Sequence, residues 1–136
     1  MSAWRLARAP GGPVAHGVWQ RAARALAMRE DATLLRIFVG EAKRHGAHPL
    51  YETLVLEARA FGLAGATVLR GPLGYGRSSQ LHTTKILRLS DDLPMVVEIV
   101  DDEERLDAFL PTVKALMQGQ GGLVTLEKVR VIPIEA

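Results

Sequence analysis

Two stretches of this chain repeat apolar residues at helical spacing, and β-rich runs stand on both sides of each. Leu50, Leu54, Ala58 and Phe61 recur at intervals of four, four and three, which makes one apolar stripe on a helix over residues 49–61. Pro49 suits the first helical position, where a missing N–H is harmless. Gly62 and Gly65 stand where a C-cap needs positive φ. Leu106, Phe109, Leu110, Val113, Leu116 and Met117 make a second stripe that starts near Asp102. Asp101, Asp102, Glu103 and Glu104 crowd its positive N-terminal end, which favours it. Pro111 falls inside this pattern and predicts a kink or an early stop.

The strands are read from apolar runs closed by turn residues. Residues 33–39 form a first strand ended by Gly40, 66–70 a second, 95–100 a third and 123–132 a fourth. Residues 85–89 alternate weakly and extend a ribbon, and Ser90-Asp91-Asp92-Leu93-Pro94 reads as a turn. The order β-α-β-β-α-β is the ferredoxin-like split-βαβ pattern. The expected fold is therefore α+β, an antiparallel sheet of order 4-1-3-2 with both helices on one face. One domain over 31–136 fits the common domain size of about 100–150 residues.

Two helices cover only one side of four strands. The other side carries Leu34, Arg36 and Phe38 on the first strand and Val96, Glu98 and Val100 on the third. An apolar sheet face of this kind marks an interface, so self-association is expected. Arg36 and Glu98 are placed to pair across it.

Residues 1–30 read differently. Arg5, Arg8, Arg21 and Arg24 give residues 1–27 a charge of +4 with no acidic residue, although the whole chain carries only +2. The basic balance therefore belongs to this segment, and no nucleic-acid partner is expected. Pro10-Gly11-Gly12-Pro13 breaks any helix there. It is read as a basic extension, disordered or the product of an early start assignment, with Met28 as the alternative start; an organelle transit peptide is the rival reading. It has no apolar run of membrane-spanning length. With no cysteine in the chain, thiolate chemistry is excluded and a reducing, cytoplasmic location is expected.

Candidate chemistry is sparse. Gly76-Arg77-Ser78-Ser79-Gln80 lacks the second glycine of a nucleophile elbow. No acid–base pair stands out, so an enzyme, such as a cofactor-free isomerase or oxygenase, is only an alternative. His45, His48 and His82 allow a second one, a divalent-metal-binding oligomer. The glycine clusters say more. Gly71-Pro72-Leu73-Gly74-Tyr75-Gly76-Arg77 reads either as a flexible hairpin tip or as a loop whose backbone N–H groups approach an anion, with Arg77 to complete the charge. It is not a Walker loop, since no Gly-Lys-Ser/Thr follows. Gly119, Gly121 and Gly122 form a second cluster, for which a helix cap and turn is the plain reading.

Several segments recur in order: 34–41, His48-Pro49-Leu50-Tyr51-Glu52, 71–76, Leu93-Pro94, and Gly122-Leu123-Val124-Thr125-Leu126-Glu127. Together they resemble a bacterial and archaeal family of the PII-like superfamily, over about residues 33–132. The resemblance implies a trimeric sensor that binds a small anionic ligand, such as an adenine nucleotide, between subunits and needs no cofactor. It implies a responsive loop over residues 71–84, with Gly71, Gly74, Tyr75, Gly76 and Arg77. Gly119, Gly121 and Gly122 would cradle phosphate. A membrane transporter or channel is the implied kind of partner. The lysine that PII proteins carry after the second glycine loop is here Leu123, and Lys85, Arg88 or Arg77 would have to replace it. On this reading Gly74→Val damages signalling more than folding.

Overall fold

The computed structural model describes residues 31–76, 82–83, 92–132 and 134. Its main elements follow from the periodicities. Strand β1 (Ala32–Gly40) lies between two antiparallel neighbours, and its alternate residues Leu35, Ile37 and Val39 are buried. A short hairpin follows, β2 (Arg44–His45) with β3 (His48–Pro49). Helix α1 (Leu50–Phe61) buries Leu50, Leu54 and Ala58. Then come β4 (Thr67–Arg70), the two-residue strands β5 (Leu73–Gly74) and β6 (His82–Thr83), and β7 (Pro94–Asp101). Helix α2 (Glu103–Met117) buries Leu106, Phe109 and Val113 before β8 (Leu123–Val129) closes the sheet.

Among the described residues the fold is α+β, with an antiparallel four-stranded sheet and two helices. Its sheet is ordered β4-β7-β1-β8. The simple numbering 4-1-3-2 does not carry over unchanged, because the β2–β3 and β5–β6 ribbons enter the strand count. Leu35, Ile37 and Val39 of β1 and Met95, Val97 and Ile99 of β7 meet the buried residues of both helices in one core. At its edge the exposed ring of Phe61 lies 5.4 Å from that of buried Phe109, centre to centre.

Several local expectations shift. Pro49 ends β3 and stands before the helix with extended ψ of 139°, instead of inside it. The N–H of Leu50, which opens the helix, donates to the Lys43 carbonyl at 2.8 Å. Gly62 takes the left-handed cap at φ 88°, whereas Gly65 is not in that region. Helix α2 continues past Pro111 for six more residues. Pro111 and Asp107 are both exposed, so the carbonyl that loses its partner faces water. The last strand stops at Val129, short of Ile132. Residues 1–30 and the expected ribbon over 85–89 lie outside the described residues.

The helix-free face of the sheet is as mixed as the alternation implies. Arg36 pairs with Glu98 at 3.2 Å and with Glu127 at 3.2 Å. Leu34 and Val100 face each other across the strands on one side of this triad, and Phe38 and Val96 on the other. Leu69 and Leu123 extend the apolar part outward and are exposed.

Candidate functional site

Helix α2 hands the chain to β8 through a tight loop, Gln118-Gly119-Gln120-Gly121-Gly122. Three of its residues have positive φ, 76° at Gly119, 74° at Gly121 and 106° at Gly122. Gly122 is held in place by packing, since an added Cβ would lie 2.5 Å from the Phe38 carbonyl oxygen and 2.6 Å from the Met117 methyl. Above Gly119 and Gly121 there is open space instead, with nothing within 4 Å of an added Cβ. A loop of this shape exposes backbone to solvent, and glycine lets a ligand atom approach it closely. It contains no charged side chain.

Gln120 fixes the loop to its surroundings. Its backbone N–H donates to the Met117 carbonyl at 2.9 Å. Its side-chain amide donates to the Arg44 carbonyl at 2.7 Å, 76 residues away in sequence. The β2–β3 hairpin is thereby tied to the glycine loop. Within the hairpin the Arg44 guanidinium donates to the Ala47 carbonyl at 2.7 Å, and Gly46 turns the chain at φ 59°.

The first glycine cluster is built for another purpose at its base. Gly71 donates its N–H to the Pro94 carbonyl at 2.7 Å. An added Cβ on Gly71 or Gly74 would lie 2.8 or 2.9 Å from Cγ of Pro94. Both glycines therefore let the chain close over the Pro94 ring. A valine at position 74 strains this packing, which adds a cost to folding beside the larger effect on signalling expected from sequence. Beyond the clasp Tyr75 is exposed and Gly76 stands in open space. Arg77 lies outside the described residues, as do Lys85 and Arg88.

The two glycine clusters share no hydrogen bond among the described residues. The turn after β1 lies between them. The Glu41 carboxylate pairs with Arg70 at 2.5 Å, and the Glu41 backbone N–H donates to the Leu93 carbonyl at 2.8 Å. The Ala42 N–H donates to the Asp92 carboxylate at 2.7 Å. Gly40 leaves room for that carboxylate, which an added Cβ would strike. Residues 40–44 thus touch both ends of the segment that contains the first cluster and, through Arg44, the second. Sequence reading missed this turn. Its signals were present only as Gly40, read as a strand end, and Asp92, read as a turn residue.

His45 and His48 face each other as cross-strand partners in the hairpin. His82 belongs to β6, in a different ribbon. Among the described residues no group of three His, Cys, Asp or Glu side chains is gathered to hold a metal ion. Nor is any helix there long and apolar enough to cross a membrane.

Comparison with known proteins bears on the family and the fold. Residues 32–131 match the family DUF190, described as "Uncharacterized ACR". The chain is 42% identical over 99 residues to a UPF0166 protein of Aquifex aeolicus (strain VF5), covering 73% of this chain and 91% of that one. It is 30% identical over 93 residues to a UPF0166 protein of Methanocaldococcus jannaschii, covering 68% and 85%. Among solved structures it is similar to CPII, a nitrogen regulatory PII-like protein from Thiomonas intermedia K12, bound to ADP, AMP and bicarbonate. That match has a TM-score of 0.58 at 17% identity and covers 74% of this chain and 88% of that one. The same protein bound to ADP and bicarbonate gives 0.55 at 19%, with the same coverage. The fold is PII-like.

Proposed function

The chain belongs to the DUF190 family, and from that premise we propose that it is a PII-like sensor of a small anionic ligand. The ligand is a nucleotide such as ADP, or a simple oxyanion. It sits on the Gly119–Gly122 loop, between subunits of a homotrimer. The protein acts by binding, not by catalysis. The segment beginning at Gly71 changes its conformation with occupancy and presents the result to a partner, of which a membrane transporter or channel is the kind we favour. Residues 31–136 form the sensing domain, and residues 1–30 are an extension outside it.

The observation that carries this reading is the loop itself: positive φ at three glycines and open space over two of them. CPII, which shares the fold, was solved with nucleotides and bicarbonate bound. The Gln120–Arg44 bond, with the Glu41–Arg70 pair and the Ala42–Asp92 bond, offers the Gly119–Gly122 loop a physical route to the responsive segment. Two ligand-dependent arrangements of that segment would then be selected by the ligand's differential affinity.

A thermal-shift series with ADP, AMP, bicarbonate and phosphate tests the proposal. A ligand at 100 times its dissociation constant should stabilise the fold by roughly 2.7 kcal/mol. No shift with any of these ligands, at concentrations up to the millimolar range, would remove the sensor reading.

Assembly is tested separately. Val96 lies on the helix-free face beside Phe38 and Leu69. Burying an unpaired carboxylate there costs several kcal/mol. Val96→Glu is therefore expected to reduce the assembly to monomers in light scattering, with the circular dichroism of the fold retained. An unchanged molar mass would place the interface elsewhere.

A further inference from the structure

We propose that Arg44, carried by the β2–β3 hairpin, supplies the positive charge for an oxyanion seated on the Gly119–Gly122 loop, and that Gln120 positions it there. The inference rests on the sensor reading above and names the cation that the reading lacks. The loop offers backbone but no charge of its own, and Leu123 follows it. An arginine beside the loop would add a bidentate, charge-assisted pair to the bonds that backbone N–H groups give an oxyanion.

Arg44 is the nearest cation by connectivity. Its carbonyl is 2.7 Å from the side-chain nitrogen of Gln120, a residue flanked by Gly119 and Gly121. The hairpin therefore borders the two positions with open space above them. Arg44 is exposed, and one of its N–H groups donates to the Ala47 carbonyl at 2.7 Å. A guanidinium carries five N–H donors in a rigid fork. The bond to Ala47 orients that fork and leaves other donors for a phosphate or a carbonate.

Three other arginines are already paired with carboxylates. Arg36 is held by Glu98 and Glu127, Arg70 by Glu41, and Arg105 by Asp101. Arg44 is bonded to a carbonyl, so its charge remains to be answered by a ligand. The ligand class is an oxyanion presenting two or three oxygens. A nucleotide phosphate and free bicarbonate or phosphate share that chemistry.

Calorimetric titration of the full chain with ADP, with inorganic phosphate and with bicarbonate separates the cases. Arg44→Gln keeps a polar side chain but removes the charge. It should weaken binding at least tenfold for whichever probe the native chain binds, with an unchanged melting temperature in the absence of ligand. Arg44→Lys should recover part of the loss. Gln120→Ala, which unties the hairpin, should weaken binding less than Arg44→Gln. A loss confined to ADP identifies the anion as the nucleotide's phosphate; a loss seen with phosphate or bicarbonate identifies a free oxyanion, and both support the assignment. If Arg44→Gln binds as tightly as the native chain, the assignment is overturned while the sensor reading stands. If the native chain binds none of the three probes, the sensor reading falls, and this assignment falls with it.

Discussion

Gly122→Val is expected to lower the melting temperature by roughly 10–25 °C, taking about 4–8 °C per kcal/mol for a domain of this size. Two effects add. The residue has φ of 106°, a region that β-branched side chains almost never occupy, and such strain costs about 1–3 kcal/mol. A Cβ would also lie 2.5 Å from the Phe38 carbonyl oxygen and 2.6 Å from the Met117 methyl. The methyl can swing away, but the carbonyl belongs to the backbone of the central strand β1 and cannot. Relief requires the loop to lift off the sheet, which separates the end of α2 from the start of β8. Gly121→Ala is the matched control. Its φ is also positive, at 74°, but its surroundings are open, so only the strain of about 1–2 kcal/mol applies. Differential scanning calorimetry of the two variants decides the matter. A Gly122→Val protein that melts no lower than Gly121→Ala would mean the close approach is not a constraint.

Asp101→Ala is expected to lose about 3 kcal/mol of unfolding free energy. Asp101 ends β7 and is almost fully buried. One carboxylate oxygen accepts the Ala64 N–H at 2.8 Å, the other accepts the Asp102 N–H at 2.7 Å and lies 3.2 Å from Nε of Arg105. Arg105 in turn donates to the Gly62 carbonyl. One carboxylate thus ties the loop after α1 to the entry of α2. Alanine strands two backbone donors, and a donor bound to a charged acceptor contributes about 1.5–3 kcal/mol. The arginine side is weaker because Arg105 is half exposed, where an ion pair is worth about 0–1 kcal/mol. Arg105→Ala should therefore cost much less than Asp101→Ala in urea denaturation. Equal losses would show that the ion pair, not the backbone bonds, dominates.

Both variants act on residues whose importance the sequence understated. Asp101 was legible as one of four acidic residues at a helix start, which explains its sign but not its burial. Gly122 was legible as part of a glycine cluster, whereas its close contact with Phe38 was not. For the candidate site the split is similar. Gly119 and Gly121 keep the open backbone that a ligand-binding role needs. Gly71 and Gly74, placed in the responsive loop by resemblance, also clasp Pro94, and Tyr75 and Gly76 are the described residues of that cluster that stand free of it.

The main strands and both described helices were legible from residue order, because apolar spacing is a local property. A stripe at helical period buries one side of a helix, and alternation buries one face of a strand, whatever they later meet. Leu50, Leu54 and Ala58, or Leu35, Ile37 and Val39, are buried for that reason. The pairing of Arg36 with Glu98 was also legible, since neighbouring antiparallel strands place alternate residues opposite one another. Only the tertiary structure decided which polar groups converge. The Ala42–Asp92 bond joins residues 50 apart, Ala64–Asp101 joins residues 37 apart, and Gln120–Arg44 joins residues 76 apart. Such contacts carry no periodic signal. They exist because the packed sheet brings distant loop ends together, where each exposed donor or acceptor takes the partner that the fold puts within reach.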